Sequence, residues 1–209
     1  MALKTKTAPV GDTGLVFKKR GKDDWKKVMI YGNDGTGKST FAETYCRTNG
    51  LSPICIDIDD TNYTNVPIVD IDLSSDLNTY RYIKDTILKI KQTEDFDTII
   101  IDGVTSLLEG LVSKAKGMKK YSDRAERFGD ILRLLQSSGK HLIFIGQADM
   151  EVIFTEEYQS NKMVIKINSI VNEKYHCIKT PKGSFKVETI KYRTAEDNPE
   201  KEEETASTQ

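Results

Sequence analysis

The sequence predicts an α/β domain: a mainly parallel central sheet flanked by helices and extended at its C-terminal end by antiparallel strands. Three observations carry that expectation. Gly32-Asn33-Asp34-Gly35-Thr36-Gly37-Lys38-Ser39 spells G-x-x-x-x-G-K-S between an apolar run, Val28–Tyr31, and a helix-suited run, Thr40–Cys46. Apolar, β-rich runs then alternate with stretches of helical spacing as far as Gln147. That alternation is the mark of right-handed βαβ units. After Gln147 the texture changes. Residues 150–155, 162–168, 170–178 and 185–191 alternate and are rich in Val, Ile, Thr and Tyr, which reads as antiparallel strands of the same sheet.

In chain order, residues 1–14 are polar and punctuated by Gly and Pro, and are expected to form a mobile arm. The domain is expected over 15–194, with 15–27 forming a short strand and turn that lead into the first buried strand. Pro53–Asp59 reads as a second strand, ending in the carboxylates Asp57, Asp59 and Asp60. Val66–Ile71 is a shorter one, with Pro67 placing it at an edge or a strand start. Ser74 and Ser75 cap a helix whose apolar positions are Leu77, Tyr80, Ile83, Ile87, Leu88 and Ile90. Phe96–Asp102 is a third buried strand. Helices follow over 104–116 and 123–137, the second with Phe128, Ile131, Leu132, Leu134 and Leu135 on one side and Gly139 at its end. His141–Gln147 is the fourth strand, and Pro181-Lys182-Gly183-Ser184 a turn.

Composition narrows the class. Of 209 residues, 37% are hydrophobic and 30% charged, a globular balance with no apolar run near the ~20 residues of a membrane span. Cys46, Cys55 and Cys177 are odd in number and widely spaced, which points to a reduced, cytoplasmic setting. No CxxC occurs, and His141 and His176 stand apart, so a zinc site is not expected. The net charge of −1 hides an asymmetry: six acids against Lys201 over 196–209, and eight Lys or Arg against three Asp in the first 27 residues. Residues 195–209 are therefore expected to be an acidic, disordered tail: a solubility device, a lure for a basic partner protein, or a mimic of nucleic acid competing for a basic groove.

The glycine-rich stretch carries the chemistry. Gly32, Gly35 and Gly37 let the backbone, with Asn33, Asp34 and Thr36, turn its N–H groups inward on phosphate oxygens. A helix opening at Lys38-Ser39-Thr40 adds its positive end. Lys38 would reach the β- and γ-phosphates of ATP and the Ser39 hydroxyl would bind Mg²⁺. Thr98-Ile99-Ile100-Ile101-Asp102 delivers a carboxylate to the same rim of a parallel sheet, where Asp102 can hold a water of the Mg²⁺ shell. Hydrolysis also needs a carboxylate to polarise water. Asp57, Asp59 and Asp60 are the candidates. Gln147, ending the fourth strand, can sense the γ-phosphate.

This order of motifs resembles the RecA-like P-loop ATPase core over about residues 28–193, and is similar to short phage proteins of the Sak group that act in single-strand annealing recombination. Tyr31-Gly32, the strand ending at Asp102, Phe128-Gly129-Asp130 and His141–Gln147 carry the likeness. The resemblance implies an Mg-dependent ATPase with Asp59 as catalytic base and Gln147 coupling nucleotide to DNA. It implies a homo-oligomer with ATP at the subunit interface, where Lys191 and Arg193 of one subunit would reach a neighbour's γ-phosphate. It also implies single-stranded DNA as a partner, contacted by a loop over 113–121 with Lys114, Lys116, Lys119, Lys120 and Tyr121. The second loop, after Gln147, is acidic and departs from that pattern. A single-strand-binding or other replication protein as partner, and the cytoplasm of a bacterial host, follow from the same likeness. The alternative is an ATP-dependent accessory module acting on a protein partner, with little DNA binding or turnover.

Overall fold

A computed structural model describes residues 25–61, 63–71, 76–111, 117, 119–147, 167 and 169–192, all within the unit Trp25–Arg193. The expected arm, the acidic tail and the strands at 150–155 and 162–166 lie outside the described residues, as do Lys114, Lys116 and Arg193. In chain order the elements are β1 (Lys27–Gly32), α1 (Lys38–Thr48), β2 (Pro53–Asp57), β3 (Ile68–Asp70), α2 (Asp76–Gln92), β4 (Thr98–Asp102), α3 (Val104–Gly110), α4 (Lys119–Gln136), β5 (His141–Gln147), β6 (Glu173–Lys179) and β7 (Phe185–Tyr192). They build one seven-stranded sheet in the order β3-β2-β4-β5-β1-β6-β7.

Strands β1 to β6 all run parallel, and β7 alone is antiparallel. A parallel sheet covered on both faces needs strands that are apolar on both sides, and β4 is buried along its whole length. Ile99 and Ile101 pack into the cluster formed with Ile83 and Ile87 of α2 and Phe128 and Ile131 of α4, while Ile100 packs with Ala42 and Cys46 of α1. Burying each such isoleucine contributes about 2 kcal/mol. Leu88, which the helical spacing places among the apolar positions, is 41% exposed instead.

The C-terminal part differs in one respect from the expected set of antiparallel strands. β6 pairs parallel with β1, so the chain crosses over between β5 and β6 before turning back through 180–184 into β7. The expected strand at 170–178 starts later, at Glu173. Ser169 and Ile170 are helical, and the Val171 N–H donates to the Ile167 carbonyl (3.1 Å). β3 lies at the sheet's edge, where Pro67 costs no ladder bond.

The two central strands are pinned at their starts by His141, whose Nδ1 accepts the Lys26 N–H (2.8 Å). Burial, opposed by the Asp97 carboxylate and helped by the Lys26 charge, holds the imidazole pKa below its ordinary 6.5. A depressed folded pKa means the native state binds fewer protons than the unfolded chain. This stabilisation is therefore complete above about pH 6.5 and is lost as pH falls through the folded value. Urea unfolding from about pH 7.5 down to about 5.5 should show a falling midpoint in the natural chain and a flatter profile in His141→Asn.

Candidate active site

Parallel strands place their C-terminal ends on one rim, and the register decides which side chains meet there. Gly32 stands opposite Gln147 across β1 and β5, Ile145 opposite Asp102 across β5 and β4, and Asp102 opposite Asp57 across β4 and β2. β5 thus separates the strand before the glycine-rich loop from the strand ending in Asp102. A cleft of about 540 Å³ opens on this rim, lined among others by Lys38, Ser39, Asp59, Tyr63, Asp102 and Gln147.

The loop can only take this path with glycine at two kinds of position. Gly35 and Gly37 adopt φ of 67° and 80°, the left-handed region. Gly32 is required for space: a Cβ there would stand 2.3 Å from the Cys177 carbonyl oxygen of β6. Gly37 also caps α1 without any side-chain hydrogen bond, leaving the first-turn amides of the helix for an anion. The Thr36 hydroxyl closes the loop on the Asn33 carbonyl (2.7 Å).

Lys38 turns back over the loop. Its ammonium donates to the carbonyls of Gly32 (3.1 Å) and Asn33 (3.0 Å) and to Gln147 Oε1 (3.5 Å). Gln147 Nε2 in turn donates to the Asp34 carboxylate (2.7 Å). Gln147 therefore touches both the lysine and the loop.

Across the cleft, Ser39 Oγ donates to Asp102 Oδ2 (2.8 Å). With its proton held by the carboxylate, the serine oxygen has lone pairs left to offer a cation. The donor set fits Mg²⁺: a hydroxyl and a carboxylate of hard oxygen character beside a phosphate loop, a site that keeps several waters. Among the described residues there is no cluster of His, Cys, Asp or Glu that would hold a metal by itself.

The three acids after β2 have different surroundings. Asp57 is buried, and one oxygen accepts the Thr61 N–H (2.8 Å) while Oδ1 has no hydrogen-bond partner. Burial, reinforced by the carboxylates of Asp102, Asp60 and Asp59, raises its pKa. Asp60 is exposed and sits at φ 53°, a region aspartate tolerates. Asp59 is exposed and lines the cleft. Its carboxylate lies so close to Gly103 (φ 90°) that a Cβ there would meet Oδ1 at 2.5 Å.

One residue of the rim carries no signal in the sequence reading. The Tyr63 hydroxyl donates to Asp102 Oδ2 (2.7 Å), and burial raises its pKa well above the ordinary tyrosine value. A lone tyrosine in the polar run Thr61–Asn65 looks like loop, and nothing local announces a partner in β4.

The remaining candidates lie elsewhere. Lys191 pairs with Lys174 near the start of β6, away from the rim, and donates to the Val171 carbonyl (2.6 Å). Lys119, Lys120 and Tyr121 belong to the first turn of α4, where a loop was expected. Tyr121 is 44% exposed, with Lys120 Nζ 4.8 Å and the Arg124 guanidinium 5.4 Å from its ring centre. No described helix is long and apolar enough to cross a membrane.

In comparison with known families, the model of an AAA domain family matches residues 25–178. A search of curated proteins gave no match. The matched span holds the glycine-rich loop, Asp102 and Gln147, on a largely parallel sheet in the arrangement of a P-loop ATPase. The chain belongs to the AAA domain family of nucleotide-binding P-loop proteins.

Proposed function

We propose that the chain hydrolyses ATP with Mg²⁺ and couples that hydrolysis to single-stranded DNA, in recombination or single-strand annealing of phage type. The observation that carries the enzymatic part is the Ser39–Asp102 hydrogen bond of 2.8 Å at the mouth of the glycine-rich loop, with Asp59 on the same cleft. Bound Mg²⁺ would neutralise charge on the β- and γ-phosphates.

The chain's own residues do the rest. Amides of Gly35, Gly37 and the first turn of α1 bind phosphate oxygens. Lys38 exchanges its bonds to Gly32 and Asn33 for the γ-phosphate, which stabilises charge in the transition state. Ser39 and Asp102 would hold the cation. Asp59 accepts a hydrogen bond from the attacking water and takes its proton. Gln147, bonded to Lys38 and Asp34, moves when Lys38 moves and so carries the state of the γ-phosphate to the chain after β5.

For DNA, an exposed ring flanked by two cations suits stacking of a base beside a contacted phosphate. Tyr121 with Lys120 and Arg124 has that form, and Lys119 adds charge. Oligomerisation with ATP at the interface follows the same reading. There Arg193 acts across the interface, and Lys191 does so only if it gives up Val171. Steady-state hydrolysis is the test. Single-stranded DNA should raise the rate, the effect should fade with salt, and Tyr121→Ala should weaken the stimulation without changing the rate in its absence. Hydrolysis indifferent to DNA would favour an ATPase directed at a protein partner.

A further inference from the structure

The segment between β2 and β3 is fastened to the end of β4 at three points. The Ile58 N–H donates to the Asp102 carbonyl (3.0 Å). The Asp59 carboxylate rests on Gly103, as the space at that glycine requires. The Tyr63 hydroxyl reaches the Asp102 carboxylate (2.7 Å), on the same oxygen that accepts Ser39 Oγ (2.8 Å). Two hydroxyl donors on one oxygen restrain the carboxylate against rotation.

We propose that Tyr63 is a positioning residue that holds the Asp102 carboxylate in its metal-facing orientation and so ties metal binding to the segment that carries Asp59. The inference rests on the reading of Asp102 as a member of the Mg²⁺ shell. A carboxylate ending a strand is free to turn about χ2 unless donors hold it, and this torsion is broad. Ser39 holds it from the side of the loop, and Tyr63 holds it from the side of the water-activating acid. The tyrosine ring packs against the apolar cluster under α1, so the hydroxyl is delivered from a fixed base. When the segment shifts, Tyr63 leaves Asp102 and Asp59 leaves Gly103 together. Cation and catalytic base are in place together or not at all.

The test is a double-mutant cycle read on nucleotide affinity, not on turnover. ATP is titrated with Mg²⁺ and with EDTA into the natural chain, Tyr63→Phe, Asp102→Asn and the double variant. Phenylalanine keeps the ring and its packing. Tyr63→Phe should weaken ATP binding about tenfold in Mg²⁺, the size expected for a lost hydrogen bond to a charged group, and leave metal-free binding unchanged. In the Asp102→Asn background the same change should cost nothing further. Equal losses with and without Mg²⁺, or the full loss persisting in Asp102→Asn, would overturn the proposal and leave Tyr63 a packing residue. No loss in any condition would overturn it as well. If the natural chain binds ATP equally well in EDTA, or not at all, the failure lies in the Mg²⁺–nucleotide reading of the site, and the inference falls with it.

Discussion

Lys38→Ala is expected to lower ATP hydrolysis by about a thousandfold while leaving the fold intact. The ammonium is the cation that the loop itself supplies, and its side chain is only 12% exposed. It is held by two carbonyls and Gln147 at the mouth of the cleft. Hydrogen bonds from a charged group contribute about 1.5 to 3 kcal/mol each in a dry setting, and less beside an open cleft, where water can replace the ammonium. Truncation should therefore lower the unfolding temperature modestly and leave the fold formed. Inorganic tripolyphosphate separates the contributions: its affinity should fall together with that of ATP, because Lys38 meets phosphate and not the nucleoside. Hydrolysis at the natural rate in Lys38→Ala would remove the glycine-rich loop from the chemistry.

Asp59→Asn should cost about 10²- to 10⁴-fold in kcat and leave the affinity for ATP nearly unchanged, the pattern of a lost general base. Asp57→Asn is its control, and the two carboxylates differ in a way that makes the contrast sharp. Asp57 is buried beside Asp102 with one oxygen unpartnered, and its pKa is raised. A neutral amide of the same shape removes a costly buried charge. Asp57→Asn should therefore hydrolyse ATP within a few-fold of the natural rate and be at least as stable in urea. The reverse outcome, a large loss in Asp57→Asn and none in Asp59→Asn, would move the base two residues along the chain.

What the sequence revealed and what it hid follow from how far each signal travels along the chain. The loop at 32–39 and the run Thr98–Asp102 are local patterns, each sufficient to name its element. Parallel strands then bring their ends together without further instruction, so Ser39 and Asp102 meet although 63 residues separate them. The choice among Asp57, Asp59 and Asp60 was not legible, because three acids in four positions differ only in what covers them. Tyr63 was hidden because its partner lies in another strand and is reached only once β2 and β4 are neighbours. The direction of β6 was hidden for a related reason. An alternating strand reads the same in either direction, and only the crossover between β5 and β6 makes it parallel to β1. At Lys119–Tyr121, a lysine-rich stretch that reads as loop is instead the first turn of α4.

The most direct measurement is a calorimetric titration of the natural chain with ATP in the presence of Mg²⁺. The account predicts saturable binding of one nucleotide per chain, weakened when EDTA replaces Mg²⁺ and lost in Lys38→Ala. A chain that takes up no nucleotide, or binds it as well without Lys38, would contradict the central claim that the rim formed by β1, β4 and β5 is an ATP site.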